Sequence, residues 1–265
     1  MFFKLQANKQ NEHNCWSNIL DLAFVIPAYN EEILIGACLD SVVKEVARSG
    51  YDVEIIVVNN ASTDRTKEIA QSFKGVTVVD ELEKGLVHAR RAGFDACKAE
   101  LVANIDADTE LPEGWITTVM TTFQKRPDLV ALSGPYIYHD LAWHKRALVR
   151  GFYYFAYILY WLNRFVFRVG SMIQGGNFVL RRTAWDSVGG FDTEIAFYGE
   201  DTDVAKRLHK VGPVKWTFKL PMKTSGRRLE EEGVFRTAGT YTLNYLWVTF
   251  TGKPFTKDYS DVRPD

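Results

Sequence analysis

Short apolar runs alternate with helical stripes along the first hundred residues. Residues 22–26 are apolar and stop at Pro27. Ile35, Cys38, Leu39, Val42 and Val46 then recur at helical spacing. This predicts a helix capped by Asn30, with Glu31 and Glu32 in a first turn where acids suit the dipole. Residues 53–58 read VEIIVV, a nearly continuous β-branched run expected of a strand buried on both faces. After the loop NNASTD come a helix carrying Ile69, Ala70 and Phe73, a strand over 76–79, a helix over 84–99 and a strand over 101–105. Strands alternating with helices imply a parallel sheet of βαβ units. Such sheets bind ligands at the carboxyl ends of their strands. PAYNE, NNASTD and DADTE occupy those positions.

The second half is less regular. The pattern predicts a helix over 115–123, a strand over 129–133, a very aromatic segment over 152–167 and a strand at GGNFVLRR. A short helix near Trp185, the loop GGFDTEIAFYGED, a helix over 203–211, strands around Trp216 and Leu220, and an aromatic helix over 241–250 follow. The domain division expected is a polar arm over 1–20, a catalytic domain over 21–220 and a helical extension over 221–265.

Charge narrows the function classes. Lys and Arg number 32 and Asp and Glu 33, so the net charge of −1 gives no case for a nucleic-acid partner. Hydrophobic residues at 46% and charged residues at 25% are ordinary for a globular protein, which argues against disorder. Cys15, Cys38 and Cys97 form no CxxC pair, which fits a reducing compartment. The N-terminus has no sustained apolar core of a secretory signal, and no run of 18 apolar residues appears. The expected location is cytoplasmic, with a peripheral site on the inner face of the cytoplasmic membrane open.

Asp106-Ala107-Asp108 is the central chemical candidate. Residues i and i+2 of an extended chain point to one side, and two carboxylates there repel unless a cation sits between them. A hard ion such as Mg²⁺ takes oxygen ligands and completes its shell with phosphate and water. The competing reading is a pair of solvated loop acids, and Asp201-Thr202-Asp203 repeats the pattern. Glu200 and Asp201 either serve a helix dipole or supply a general base to an acceptor hydroxyl. Asp203 and Arg207, four residues apart, suit an ion pair. Gly175, Gly176 and Asn177 either admit a ligand close to the backbone or only turn into the next strand. Lys84, Arg90 and Arg91 either face a pyrophosphate or form a solvated face. Arg227 and Arg228 could clamp phosphate or touch anionic lipid. The five histidines show no ligand spacing. GxGxxG, GxxxxGK[ST] and GxSxG are missing, which argues against dinucleotide dehydrogenases, P-loop ATPases and nucleophile-elbow hydrolases.

In order, VIPAYNEE, VVNNASTDRT, KGLVHARRAG, ANIDADT, GGNFVLRR and GGFDTEIAFYGEDTDVAKRL resemble an inverting family 2 glycosyltransferase over about residues 20–220. The resemblance implies an α/β GT-A fold, a Rossmann-like, mostly parallel central sheet flanked by helices. It implies a nucleotide-diphosphate sugar as donor, a Mg²⁺ or Mn²⁺ cofactor, and a glycan or lipid-linked acceptor. Pro27, Ala28, Tyr29 and Glu31 would form the first nucleotide-contacting loop. Asn60 would meet the nucleobase or ribose, and Lys84 and Arg90 the donor side. Asp106 and Asp108 would be the DxD pair, with Asp108 on the metal. Gly176 and Asn177 would form the sugar and acceptor loop. Asp201 would be the catalytic base, with Glu200 beside it. Asn59 and Asn60 stand where many members carry acids, so the base preference is open. The QxxRW motif of processive synthases is missing, which fits a single addition.

Two other readings compete. A sugar-phosphate nucleotidyltransferase would carry a Gly-rich basic loop where PAYNEE stands. A catalytically silent sugar-nucleotide-binding module would tolerate loss of Asp201. The 152–167 segment holds eleven uninterrupted apolar or aromatic residues up to Leu162 between basic flanks. As a helix it would reach about 24 Å, short of a membrane core. It either lies on a membrane surface or packs on the domain.

Overall fold

The computed structural model of the chain describes residues 21–167, 171–193, 195 and 199–256. The arm expected over 1–20 lies outside them. β1 (Leu22–Ala28), α1 (Ile35–Ser49), β2 (Val53–Asn59), α2 (Thr66–Ser72), β3 (Val76–Asp80), α3 (Leu86–Ala96) and β4 (Leu101–Ile105) realise the expected alternation. Then follow β5 (Thr109–Glu110), α4 (Trp115–Lys125), β6 (Ala131–Ser133) and β7 (Tyr136–Tyr138). The long α5 (Trp143–Trp161) runs into a π-helical turn, Leu162–Phe167. β8 (Asn177–Arg181), α6 (Arg182–Ser187), α7 (Glu200–His209), β9 (Val214–Trp216), β10 (Met222–Thr224), α8 (Arg227–Glu231) and α9 (Val234–Thr251) complete the chain.

Among the described residues the main sheet has seven strands in the order β3-β2-β1-β4-β8-β6-β9. It is parallel except at β8, which runs antiparallel to β4 and β6. A small sheet, β5-β10-β7, stands beside it. The period-2 alternation of the central strands divides their side chains between two cores. Leu22, Phe24 and Ile26 pack with α1 and α4, and Phe24 meets Trp115 at 5.6 Å between ring centroids. Ala23 and Val25 pack with α3, α6 and α7, around the fully buried Trp185.

Several helix bounds differ from the sequence expectation: α9 begins at Val234 rather than at 241, and in α1, α3 and α7 the difference has a local reason. α1 begins at Ile35, because Asn30 adopts a left-handed φ of 49° and caps nothing. The Asn30 Oδ1 accepts from Thr63 N at 2.9 Å and so ties two loops together. α3 occupies Leu86–Ala96 rather than 84–99, since the backbone turns extended at Cys97. α7 begins at Glu200, three residues earlier than expected, which puts Glu200 and Asp201 in its first turn.

The aromatic segment has two faces. Tyr153 and Tyr160 are buried, and Tyr153 stacks on Trp216 at 6.0 Å. Tyr154, Phe155, Ile158 and Trp161 are exposed. Among the described residues no helix is long and apolar enough to cross a membrane.

Candidate active site

The carboxyl ends of β1, β2 and β4 open into a cavity of about 220 Å³. Its walls include Pro27, Ala28, Tyr29 and Glu31 after β1, Asn60 after β2, Lys84 and Arg90 around the start of α3, and Asp106 and Asp108 after β4. Gly176, Glu200 and Asp201 close it from the second half of the chain. One expected residue is not on this wall. Asn177 is fully buried at the start of β8, where its Nδ2 donates to Leu220 O at 2.8 Å. It therefore holds a loop behind the cavity. Asn60 lines the cavity, but its side chain is committed to the chain: Nδ2 donates to the carbonyls of Glu81 and Glu83, and Oδ1 accepts from Gly85 N at 2.8 Å. It fixes the loop that carries Lys84, whose Nζ donates to the Tyr29 hydroxyl at 2.5 Å.

The acids are held at defined positions. Asp106 directly follows β4, and its carbonyl accepts from Thr109 N and Oγ1, so the chain turns sharply there. Its carboxylate accepts from the Tyr136 hydroxyl at 2.8 Å and from Arg90 Nη2 at 3.3 Å. Gly176 must be glycine for this contact: a Cβ would lie 1.9 Å from Asp106 Oδ2 and 2.1 Å from the Tyr136 oxygen. Asp108 accepts from Arg227 Nη2 at 3.2 Å, and the same nitrogen donates to Glu31 Oε1 at 2.5 Å. Burial pushes the Asp108 carboxyl up to about 7; the charges of Asp106 and Glu31 add to this and Arg227 opposes it.

Arg90 joins the two acidic motifs. The residue is 1% exposed. It donates to Glu200 Oε1, to the Gly175 carbonyl at 2.7 Å and to Asp106. Glu200 is thereby a buried counter-charge, and burial raises its carboxyl above the ordinary value against the pull of Arg90. Asp201 is placed differently. It is partly exposed in the cavity and accepts from Thr202 N at 2.7 Å with one oxygen. Burial raises its carboxyl above the ordinary value as well. Asp203 pairs with Arg207 at 2.7 Å, the ion pair expected from their spacing.

Sequence reasoning missed Tyr136, Gln174, Ser225 and Tyr241 on the cavity wall. Tyr136 sits in PYIY, which carries no chemical signal. Arg227 was visible as a basic residue in TSGRR, but not as the partner of Glu31 and Asp108.

Residues 23–189 match the profile of Glycosyl transferase family 2. The chain belongs to that family. Solved structures repeat the fold of this family 2 chain. A mannosyltransferase from Pyrobaculum calidifontis, in complex with GDP-Man and Mn²⁺, superposes with a TM-score of 0.63 at 20% identity, over 89% of this chain and 64% of its own. Glucosyl-3-phosphoglycerate synthase from Mycobacterium tuberculosis, with Mn²⁺ and UDP-Glc, gives 0.57 at 20% identity, over 89% and 80%. Both share the GT-A arrangement of a mostly parallel sheet flanked by helices. A 4,4'-diaponeurosporenoate glycosyltransferase of Staphylococcus aureus is 34% identical over 119 residues, 42% of this chain and 30% of its own. The chain spans less than half the length of the curated relatives it matches, from 17% of GlyA of Streptococcus pneumoniae to 47% of YdaM of Bacillus subtilis.

Asp106 and Asp108 fit a hard divalent cation. They offer carboxylate oxygens from one strand end, in a pocket where acids crowd and Arg227 is the compensating charge on Asp108. Among the described residues no third acid, histidine or cysteine joins them as a ligand group. Two carboxylate groups are the kind of donor that Mg²⁺ or Mn²⁺ takes, with phosphate and water completing the shell.

Proposed function

We propose that the chain is an inverting, metal-assisted glycosyltransferase. It moves one sugar from a nucleoside-diphosphate donor to a hydroxyl on a glycan or lipid-linked acceptor. The observation that supports this most is the division of labour between Glu200 and Asp201: Arg90 occupies Glu200 and leaves Asp201 facing the cavity.

The donor nucleotide lies along the carboxyl ends of β1 and β2, against Tyr29 and the loop fixed by Asn60. Lys84 and Arg227 supply positive charge toward its diphosphate. Asp106 and Asp108 would hold the cation, which when bound would supply charge neutralisation for the leaving diphosphate. Asp201 accepts the proton of the acceptor hydroxyl. The acceptor oxygen forms a bond to the anomeric carbon, the carbon–oxygen bond to the diphosphate breaks, and its electron pair leaves with the phosphate. Attack opposite the leaving group inverts the anomeric centre. Arg90 and Gly176 touch Asp106 and keep it in place. The neighbours solved with GDP-Man and with UDP-Glc leave both bases open as candidates.

A thermal-shift panel of UDP, GDP, dTDP and CMP, with and without Mn²⁺, identifies the donor base. Binding at about 100 times the dissociation constant stabilises by about 2.7 kcal/mol, a rise of roughly 5 °C or less in a chain this size. NMR of the product of the matching nucleotide sugar is expected to show an inverted anomer. A retained anomer would overturn the direct-displacement mechanism.

A further inference from the structure

A second cavity, of about 240 Å³, begins at Asp106, Asp108 and Asp201 and continues between α5 and α9. Its inner end is shared with the donor cavity; the rest has a different chemistry. Phe152, Ala156 and Leu159 present one stripe of α5, and Ala238, Tyr241 and Tyr245 one stripe of α9. Both are spaced i, i+3/i+4, i+7, the signature of one helix face. Each runs about 10 Å at 1.5 Å per residue. An apolar face normally packs against its neighbour, but here the two stripes line a space.

Charge on the lining is distributed unequally. The three carboxylates lie at the inner end. Among the described residues Arg228 is the one cation on the wall, and it pairs with Glu232 at 2.7 Å. A phosphorylated acceptor would bring its charge toward Asp201, while Arg90 and Arg227 are already paired with Asp106 and Asp108 and Arg228 with Glu232. A bare sugar would leave the apolar walls without a partner. An uncharged hydroxyl on an apolar body satisfies both ends: the hydroxyl reaches Asp201, and the body fills the space between the helices.

We propose that this cavity is the acceptor site and that it selects a neutral, hydroxyl-bearing apolar molecule of medium chain length, such as a ten-carbon alcohol. The proposal rests on the transferase reading and narrows its acceptor. The transfer is the displacement given above, with the alcohol O–H proton passing to Asp201.

Binding is tested with the neutral fluorophore N-phenyl-1-naphthylamine and its displacement by 1-decanol, decyl phosphate and glucose. The wild type is expected to bind the fluorophore, and 1-decanol to displace it at least tenfold more tightly than decyl phosphate. Ala238→Trp and Ala156→Trp fill the space from opposite helices and are expected to weaken binding at least tenfold. Ala238→Leu, a milder filling, should weaken it less. Circular dichroism and the nucleotide thermal shift report whether each variant keeps the fold and the donor site. Equal binding by wild type and both tryptophan variants would overturn the site, and decyl phosphate binding as well as 1-decanol would overturn its selectivity. Failure of every nucleotide to bind would instead overturn the transferase reading, while fluorophore binding still decides on the cavity.

Discussion

Arg90 shows how a single buried residue organises the site. It is a long cation in the interior with two carboxylates and a carbonyl as partners. Such a pair adds little net stability, but removing one member strands the other as an unpaired buried charge. Arg90→Met should therefore destabilise by about 3–5 kcal/mol in urea unfolding. Arg90→Met combined with Glu200→Leu should lose clearly less than the sum of the two single changes. Strict additivity would mean that the pair is not coupled.

Asp201 makes the opposite kind of statement, because its raised carboxyl opposes folding when ionised. Below the ordinary value of 3.8 it is protonated in folded and unfolded chains alike. As pH rises from there, the unfolded chain releases its proton first, and stability falls until the folded value is passed. Asp201→Asn keeps the oxygen that accepts from Thr202 and removes the titration. The variant should melt above wild type at neutral pH, and the gap should close toward pH 4. A gap that widens toward acid would contradict the assignment.

At the scale of elements, α3 lies unusually close to the sheet. Gly93 makes this possible: a Cβ there would come within 2.4 Å of Val25 Cγ1 and 2.8 Å of Val58 Cγ2. Gly93→Ala should cost about 1–3 kcal/mol through overpacking, seen as a lower urea midpoint at unchanged slope. An unchanged midpoint would show that β1 and β2 yield to the methyl without cost.

The strands of the first half were legible because period 2 and β-branching act within a few residues. VEIIVV became the buried β2, and Leu101–Ile105 a strand ending at the acid pair. Helix ends were less legible. Asn30 looks like a cap, but its left-handed backbone and its bond to Thr63 depend on a loop 33 residues away. The same limit hid the contact of Arg227 with Glu31 across 196 residues, since no local pattern names a distant partner. Asp106 and Asp108 are legible from their placement after an apolar run, and Glu200 and Asp201 from their place after Gly199 at a loop-to-helix junction and from the family resemblance. Asn177 was read as part of the ligand loop, and its burial could not be seen from the glycines before it.

On the scale of the whole molecule, the parallel half of the sheet supplies the cavity proposed for the donor, and the later helices supply an apolar one. Asp201 lies on the boundary of both. This arrangement separates two jobs that a mutation series can separate too. Asp108 should be needed to bind the donor, and Asp201 only to react it. The most direct test is calorimetric titration of the nucleoside diphosphate found by the thermal-shift panel, with and without Mn²⁺, into wild type, Asp108→Asn and Asp201→Asn, beside nucleotide-sugar turnover of the same three proteins. The expected result is Mn²⁺-dependent binding that is lost in Asp108→Asn and kept in Asp201→Asn, with turnover lowered at least a hundredfold in both. Turnover by Asp201→Asn near the wild-type rate, or nucleotide binding indifferent to Mn²⁺ and to Asp108→Asn, would contradict it.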